Sequence, residues 1–178
     1  MLQNYNKWKV LQVFFEQPLA EGGLQLREIS RIAKLAPTSV KNYLQELKKE
    51  QLIVEKKSRV QGYPTYFANR DDETFKLYKK TDLVFKVKQS GLLEYIYDSC
   101  LPNVIILFGS ASKGEDIESS DVDIFLQAPE KKLGLKKYEK ILNKEINIFF
   151  EEHINKLSKE LKNNIINGII LKGYIKVF

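Results

Sequence analysis

Apolar residues in the first part of the chain recur at helical spacing in three separate runs. Tyr5, Trp8, Leu11 and Phe15 predict a first helix, which Pro18 and Gly22-Gly23 end by turning the chain. Leu26, Ile29, Ile32 and Ala33 predict a second. After Leu35-Ala36, Pro37 is pre-organised for a first helical turn, and Val40, Tyr43, Leu44 and Leu47 form the stripe of a third helix. The pattern then changes: residues 52–57 and 65–68 read as two strands around the glycine-containing hairpin 59–64.

Beyond this region, Asp71-Asp72-Glu73-Thr74 is an acidic start suited to a helix N-terminus. Phe75, Leu77, Tyr78, Leu83, Val84, Phe85 and Val87 carry that helix to Ser90-Gly91, and another follows over 92–99. Residues 104–108 are an unbroken apolar run, as in a buried strand, and 145–150 predict a further strand. Ile154, Leu157, Leu161 and Ile165 predict one last helix, with Gly168 at its cap; 169–171 with 174–178 predict a terminal strand.

Charge divides the chain differently from hydrophobicity. Residues 1–70 hold 12 Lys+Arg against 6 Asp+Glu, whereas residues 71–178 hold 17 of each, so the whole net charge of +6 belongs to the first segment. A polyanion contact is therefore expected there. The single cysteine, Cys100, excludes an internal disulfide and is expected to pack rather than react. Without a long apolar run or a signal-like start, the expected location is cytoplasmic, with no membrane partner.

The chemistry concentrates in Leu107-Phe108-Gly109-Ser110-Ala111-Ser112-Lys113-Gly114, followed by Ser119-Ser120-Asp121-Val122-Asp123-Ile124. Alternation along a strand puts Asp121 and Asp123 on one face and Val122 and Ile124 on the other. Paired carboxylates suit Mg2+, which prefers oxygen ligands and shares them with substrate phosphates. Gly109 allows the backbone close to a phosphate, and Ser110 offers a hydroxyl and an amide. Lys113 stands where a cation could meet a triphosphate or simply face water.

The composite of a hydrophobic residue, Gly-Ser, ten residues, and Asp-hydrophobic-Asp-hydrophobic resembles the signature of DNA polymerase beta-like nucleotidyltransferases, in their minimal branch. The resemblance covers about residues 90–178. It implies a small mixed sheet flanked by helices, a nucleoside triphosphate held by Gly109, Ser110 and Lys113, and Mg2+, or Mn2+, on Asp121 and Asp123. It also implies a third acid on a neighbouring strand, where this chain carries Asn147. Asn offers a metal its neutral oxygen but cannot act as a base. Glu145, the alternative metal ligand, shares its face and Glu151 lies further along, each about 6 to 7 Å or more from Asn147, so either compensates only if the sheet is offset.

Residues 4–70 resemble a winged helix-turn-helix. That implies a recognition helix presenting Thr38, Ser39, Lys41, Asn42 and Gln45 to double-stranded DNA, and a wing placing Lys56, Lys57 and Arg59 on phosphates. The alternative for the same residues is the solvent face of a docking or dimerisation module, and a homodimer is one expectation. Lys131, Lys132, Lys136 and Lys137 read as a solvated helix face, and His153, with no second zinc-type ligand in spacing, as a surface residue.

The expected architecture is α+β: a winged helix-turn-helix over 1–70, a helical linker over 71–89 and a minimal nucleotidyltransferase domain over 90–178. Two functions are expected. One is Mg2+-dependent transfer of a nucleoside monophosphate to a hydroxyl acceptor on a protein, nucleic acid or small molecule. The other is a DNA-binding, antitoxin-like regulator that binds a nucleotide or a toxin-like partner with little or no turnover.

Overall fold

The first apolar stripe forms α1, Tyr5–Glu16, in the computed structural model, which describes residues 5–57 and 62–176. The second and third form α2, Leu26–Ala33, and α3, Pro37–Lys49. Gln25 and Glu28 cap the start of α2 reciprocally, each side chain meeting the other's backbone N–H. Lys34 ends it in the left-handed conformation, at φ 54°. Ala36 is extended, as a residue before proline must be, and Pro37 opens α3; Lys48 and Lys49 lie in its last turn, where cations favour the helix dipole.

Strands β2, Ile53–Lys57, and β3, Pro64–Ala68, pair antiparallel, with Glu55 opposite Tyr66. Residues 58–61, which include Arg59 and the first half of the expected 59–64 hairpin, lie outside the described residues. A third strand, β1, Leu24–Gln25, adds to the other edge of β3 in the order β1-β3-β2. Two residues are too few to show alternation, so this strand left no mark in the pattern. Phe14, Leu11, Ile29, Val40, Leu44, Leu47 and Leu52 form the core beside this sheet. Trp8, Phe15 and Phe75 extend it edge-to-face, the Phe15 and Phe75 rings 5.2 Å apart.

Helix α4, Glu73–Gln89, begins with Asp72 accepting the Phe75 N–H at 2.8 Å, which gives the acidic run a capping role. The chain divides into two units, Met1–Lys79 and Lys80–Phe178, so the division falls inside this helix. Phe75 and Tyr78 pack in the first core, Leu83 and Val87 in the second. No described helix is long and apolar enough to cross a membrane.

The second unit is built on a mixed sheet of β4, Val104–Phe108; β5, Val122–Leu126; β6, Ile146–Phe150; and β7, Ile169–Gly173, in the order β6-β5-β4-β7. β4 runs antiparallel to β5 and β7, while β5 and β6 run parallel through a crossover that includes α7, Lys136–Leu142. One face of the sheet, with Ile105, Leu107, Ile124 and Leu126, packs against α5, Leu92–Cys100, through Leu92, Leu93 and Ile96. The other carries Val104, Ile106, Phe108 and Phe125 against Ile165 of α8, Lys159–Ile166. Since β4 is central and covered on both faces, all five of its residues are buried, as its unbroken apolar run requires.

Two expectations change here. The stripe from Ile154 to Ile165 is not one helix: a 3-10 turn, Ile154–Lys156, is followed by extended Leu157, and Ser158 accepts the Leu161 N–H at 3.2 Å to start α8 afresh. A serine favours a helix cap over a helix interior, and that preference overrides the spacing. The helix does end where expected: α8 closes at Ile166 with Asn167 as its C-cap, and the Gly168 N–H donates to the Ile165 carbonyl at 3.0 Å. A Cβ on Gly168 would lie 2.5 Å from the Leu107 carbonyl oxygen, so its role is to let the chain into β7 closely against β4. Of the four lysines read as one helix face, Lys136 and Lys137 are in α7 but Lys131 and Lys132 precede it, and Lys131 donates to the Ser99 carbonyl at 2.6 Å.

Candidate functional site

β4 ends at Phe108, directly opposite Asp123 of β5, and the chain turns at once into the short helix α6, Gly109–Lys113. The turn requires Gly109 twice over. Its φ is +72°, a region L side chains rarely adopt, and a Cβ there would lie 2.6 Å from Asp123 Oδ2. Gly109 thus lies against the carboxylate. Ser110 follows half-buried at the start of α6, its carbonyl accepting the Glu115 N–H at 3.0 Å. Ser112 donates to the Gly109 carbonyl at 2.8 Å and tightens the turn. Lys113 is exposed.

The parallel pairing of β5 with β6 sets Asp123 beside Asn147. The Asn147 side-chain amide donates to Asp121 Oδ2 at 3.0 Å and, more weakly, to Asp123 Oδ1 at 3.3 Å. Both aspartates are half-buried and Asn147 is exposed, so the group opens to solvent. It shares a sheet face with Phe125, whose end α8 covers. Phe149, two residues beyond Asn147, is 40% exposed and meets the Phe108 ring edge-to-face at 5.3 Å.

The other acids on this strand do not join the group. Glu145 is exposed with no side-chain hydrogen bond among the described residues; its carbonyl accepts the Val122 N–H at 2.8 Å. Glu151 turns its carboxylate onto the His153 N–H at 2.9 Å. His153 is exposed. Among the described residues no set of three His, Cys, Asp or Glu side chains is gathered as metal ligands. What is gathered is two carboxylates and one amide. Rotating the amide half a turn would present its oxygen, giving a hard, all-oxygen donor set that fits Mg2+ with positions left for water and phosphate oxygens.

In the first unit, Thr38, Lys41, Asn42 and Gln45 are exposed on α3, and Ser39 is half-buried. The far end of that helix has its charges engaged. Lys7 bridges Glu46 and Glu50, and Lys48 donates to Glu55 at 2.7 Å. Burial lowers the Lys7 pKa, but its two glutamates outweigh that, so both lysines titrate above their ordinary range. On β2, Lys57 is exposed, and Lys56 is exposed with its ammonium 4.9 Å from the Phe67 ring centre.

Sequence reasoning did not find Lys144. Its ammonium donates to Asp116 Oδ2 at 3.1 Å and to the carbonyls of Ile117 at 2.8 Å and Ser120 at 3.2 Å. The partners lie 24 residues or more away in the chain, so no local spacing connects them.

A sheet face carrying a carboxylate pair beside a glycine turn is an arrangement for handling phosphate esters with a hard cation. Residues 93–172 match the family model for a nucleotidyltransferase domain, which spans just under half of the chain. With the mixed sheet and its flanking helices, the match supports the nucleotidyltransferase fold for this segment and nucleotidyl transfer as its general activity. No curated protein matches the chain.

Proposed function

We propose that the chain is a Mg2+-dependent nucleotidyltransferase that moves a nucleoside monophosphate from a nucleoside triphosphate to a hydroxyl acceptor, and that its first unit binds duplex DNA. The convergence of Asp121, Asp123 and Asn147 beside Gly109, inside the segment matching the nucleotidyltransferase family, carries this reading. The acceptor oxygen forms a bond to the α-phosphorus, the bond from that phosphorus to the β-phosphate oxygen breaks, and pyrophosphate leaves. Bound to Asp121 and Asp123, Mg2+ would offset phosphate charge as the bonds exchange. Gly109 leaves room for the phosphates at the carboxylate, and the Ser110 hydroxyl and amide are donors for them. Asn147 cannot accept the acceptor's proton, which passes to water or to a carboxylate of the pair.

The full chain with labelled nucleoside triphosphates and Mg2+ should release pyrophosphate or label an acceptor, and the double substitution D121N/D123N should abolish this. Turnover that survives the double substitution would refute the assignment.

A second reading is favoured by Asn147 itself. An amide that already donates to both carboxylates occupies them without cancelling their charge and cannot serve as a base, as suits an antitoxin-like regulator that binds a nucleotide or a toxin-like partner without turnover. Retained nucleotide binding with no turnover on any triphosphate and acceptor would select this reading.

For the first unit, three helices followed by a β2–β3 hairpin, with β1 closing the sheet, support a winged helix-turn-helix. Thr38, Lys41, Asn42 and Gln45 then face the major groove, with Ser39 at their margin, and Lys56 and Lys57 reach phosphates with Arg59. Salt-sensitive duplex binding tests it.

A further inference from the structure

β5 begins at Val122, whose N–H donates to the Glu145 carbonyl at 2.8 Å, so the ladder holds the peptide after Asp121 but not the Ser120–Asp121 peptide before it, which ends the preceding loop. Something else must hold that second peptide. That loop starts where the Glu115 N–H meets the Ser110 carbonyl, and it turns on itself through Ser120 N–H to Ile117 carbonyl at 3.1 Å and Ile117 N–H to Ser120 Oγ at 2.9 Å. Lys144 enters it from the side. Its side chain is 15% exposed and that of Asp116 only 4%. An ammonium has three protons, and each has a partner here: Asp116, the Ile117 carbonyl and the Ser120 carbonyl. The last acceptor matters most, because the Ser120 carbonyl belongs to the peptide group that contains the Asp121 nitrogen.

The other end of Lys144 is equally placed. Its backbone N–H donates to the Glu139 carbonyl at 3.2 Å, two residues later the Ile146 N–H points to Glu139 Oε1 at 3.4 Å, and one residue further stands Asn147. We infer that Lys144 is a positioning residue which, with Asp116, holds the Ser120–Asp121 peptide at a fixed distance from the start of β6 and so, together with the Val122 to Glu145 backbone bond, sets the spacing of Asp121 to Asn147. It touches neither carboxylate of the pair and acts only through the backbone that carries Asp121. The inference rests on the proposed metal and nucleotide site for its functional consequence, but not for its geometry.

Both levels can be measured on the full chain. Replacing Lys144 alone takes a cation away from buried Asp116, so the informative variant is the charge-neutral pair D116N/K144M, with K144Q as a milder second change and K144R as the conservative replacement. Thermal melting establishes that each variant folds, and K144Q against K144R carries the test if the pair variant does not. The first readout needs no metal: the side-chain amide protons of Asn147, observed by NMR, should move to free-amide positions in D116N/K144M and K144Q and stay in place in K144R. The second is Mn2+ affinity by titration, expected to fall by about 10- to 100-fold in the first two variants and to be kept in K144R, the range typical of groups that orient metal ligands. An unmoved Asn147 amide signal in a folded D116N/K144M or K144Q chain overturns the positioning role. A moved signal with unchanged Mn2+ affinity overturns its bearing on the site. A native chain that binds no Mn2+, alone or with a triphosphate, refutes the metal site while the shifted amide still establishes the clamp.

Discussion

Asn147→Asp is the substitution on which the two functional readings differ most. The amide stands 3.0 Å from one carboxylate and 3.3 Å from the other. Aspartate would turn two attractive contacts into two like-charge contacts. The site opens to solvent, so the water limit of the Coulomb expression applies, giving roughly 1.3 to 1.4 kcal/mol of repulsion per pair at low salt, or about 2.7 kcal/mol together. The two lost hydrogen bonds add about 1 kcal/mol each at most. In a unit of this size the metal-free N147D chain should melt about 10 °C or more below the native one. A divalent cation relieves the repulsion, so the same 2.7 kcal/mol should return as roughly 100-fold tighter Mn2+ binding. Calorimetric titration of both chains, and melting curves with and without Mn2+, read these effects directly. Asn147→Ala is the control, because it removes the donor without adding charge and should gain no affinity. If N147D melts with the native chain and binds Mn2+ no more tightly, Asn147 does not bridge the carboxylates. Should pyrophosphate release rise in N147D from an undetectable native level, the regulator reading describes the native protein and the lost acid explains its silence.

Gly109→Ala should lower both stability and Mn2+ affinity: the left-handed backbone costs about 1 to 2 kcal/mol with a Cβ, and the added carbon would push Asp123 aside. Melting with and without Mn2+ checks it, and a native-like response to the metal would contradict that close approach. Neutralising Lys56 and Lys57 should weaken duplex binding at every sequence and flatten the salt dependence by about one unit of slope per lost phosphate contact, while neutralising Lys41 should also relax sequence preference. Fluorescence anisotropy over a salt series measures this, and an unchanged slope would count against the placement of α3 and β2 on DNA. Burial raises the Cys100 thiol pKa, with Lys131 opposing weakly, so the thiolate is scarce at neutral pH. Alkylation of Cys100 at pH 7 to 8 should be slower in the native chain than in urea, with the native rate still rising at pH values above the ordinary thiol range; equal rates would refute its protection.

What could be read from the sequence was whatever a strand or helix repeats within a few residues. Gly109-Ser110 and Asp121-x-Asp123 are local spacings, and their strand alternation already set both carboxylates on one face. Asn147 was located by the same alternation on β6, and the register then set it beside Asp123. The partners joined across long stretches of chain were not legible. Nothing local relates Lys144 to Asp116, and the two-residue β1 is too short for a pattern. The split before α8 was misread because apolar spacing continued across Ser158 while the backbone did not. The domain-scale charge division was visible from composition, but the engagement of Lys7 and Lys48 by glutamates on α3 and β2 was not.

The parallel pairing of β5 with β6 also sets the path by which the site is assembled. β4 and β5 are joined by residues 109–121, which include α6, and pair antiparallel. A parallel neighbour cannot follow through a tight turn, so the chain must leave the sheet, form α7 and return before Asn147 can meet Asp121 and Asp123. Until that crossover closes, Asp121 and Asp123 lack the amide that joins them. On the proposed metal site, a divalent cation present during refolding would therefore change the rate at which this unit folds as well as the stability it finally has.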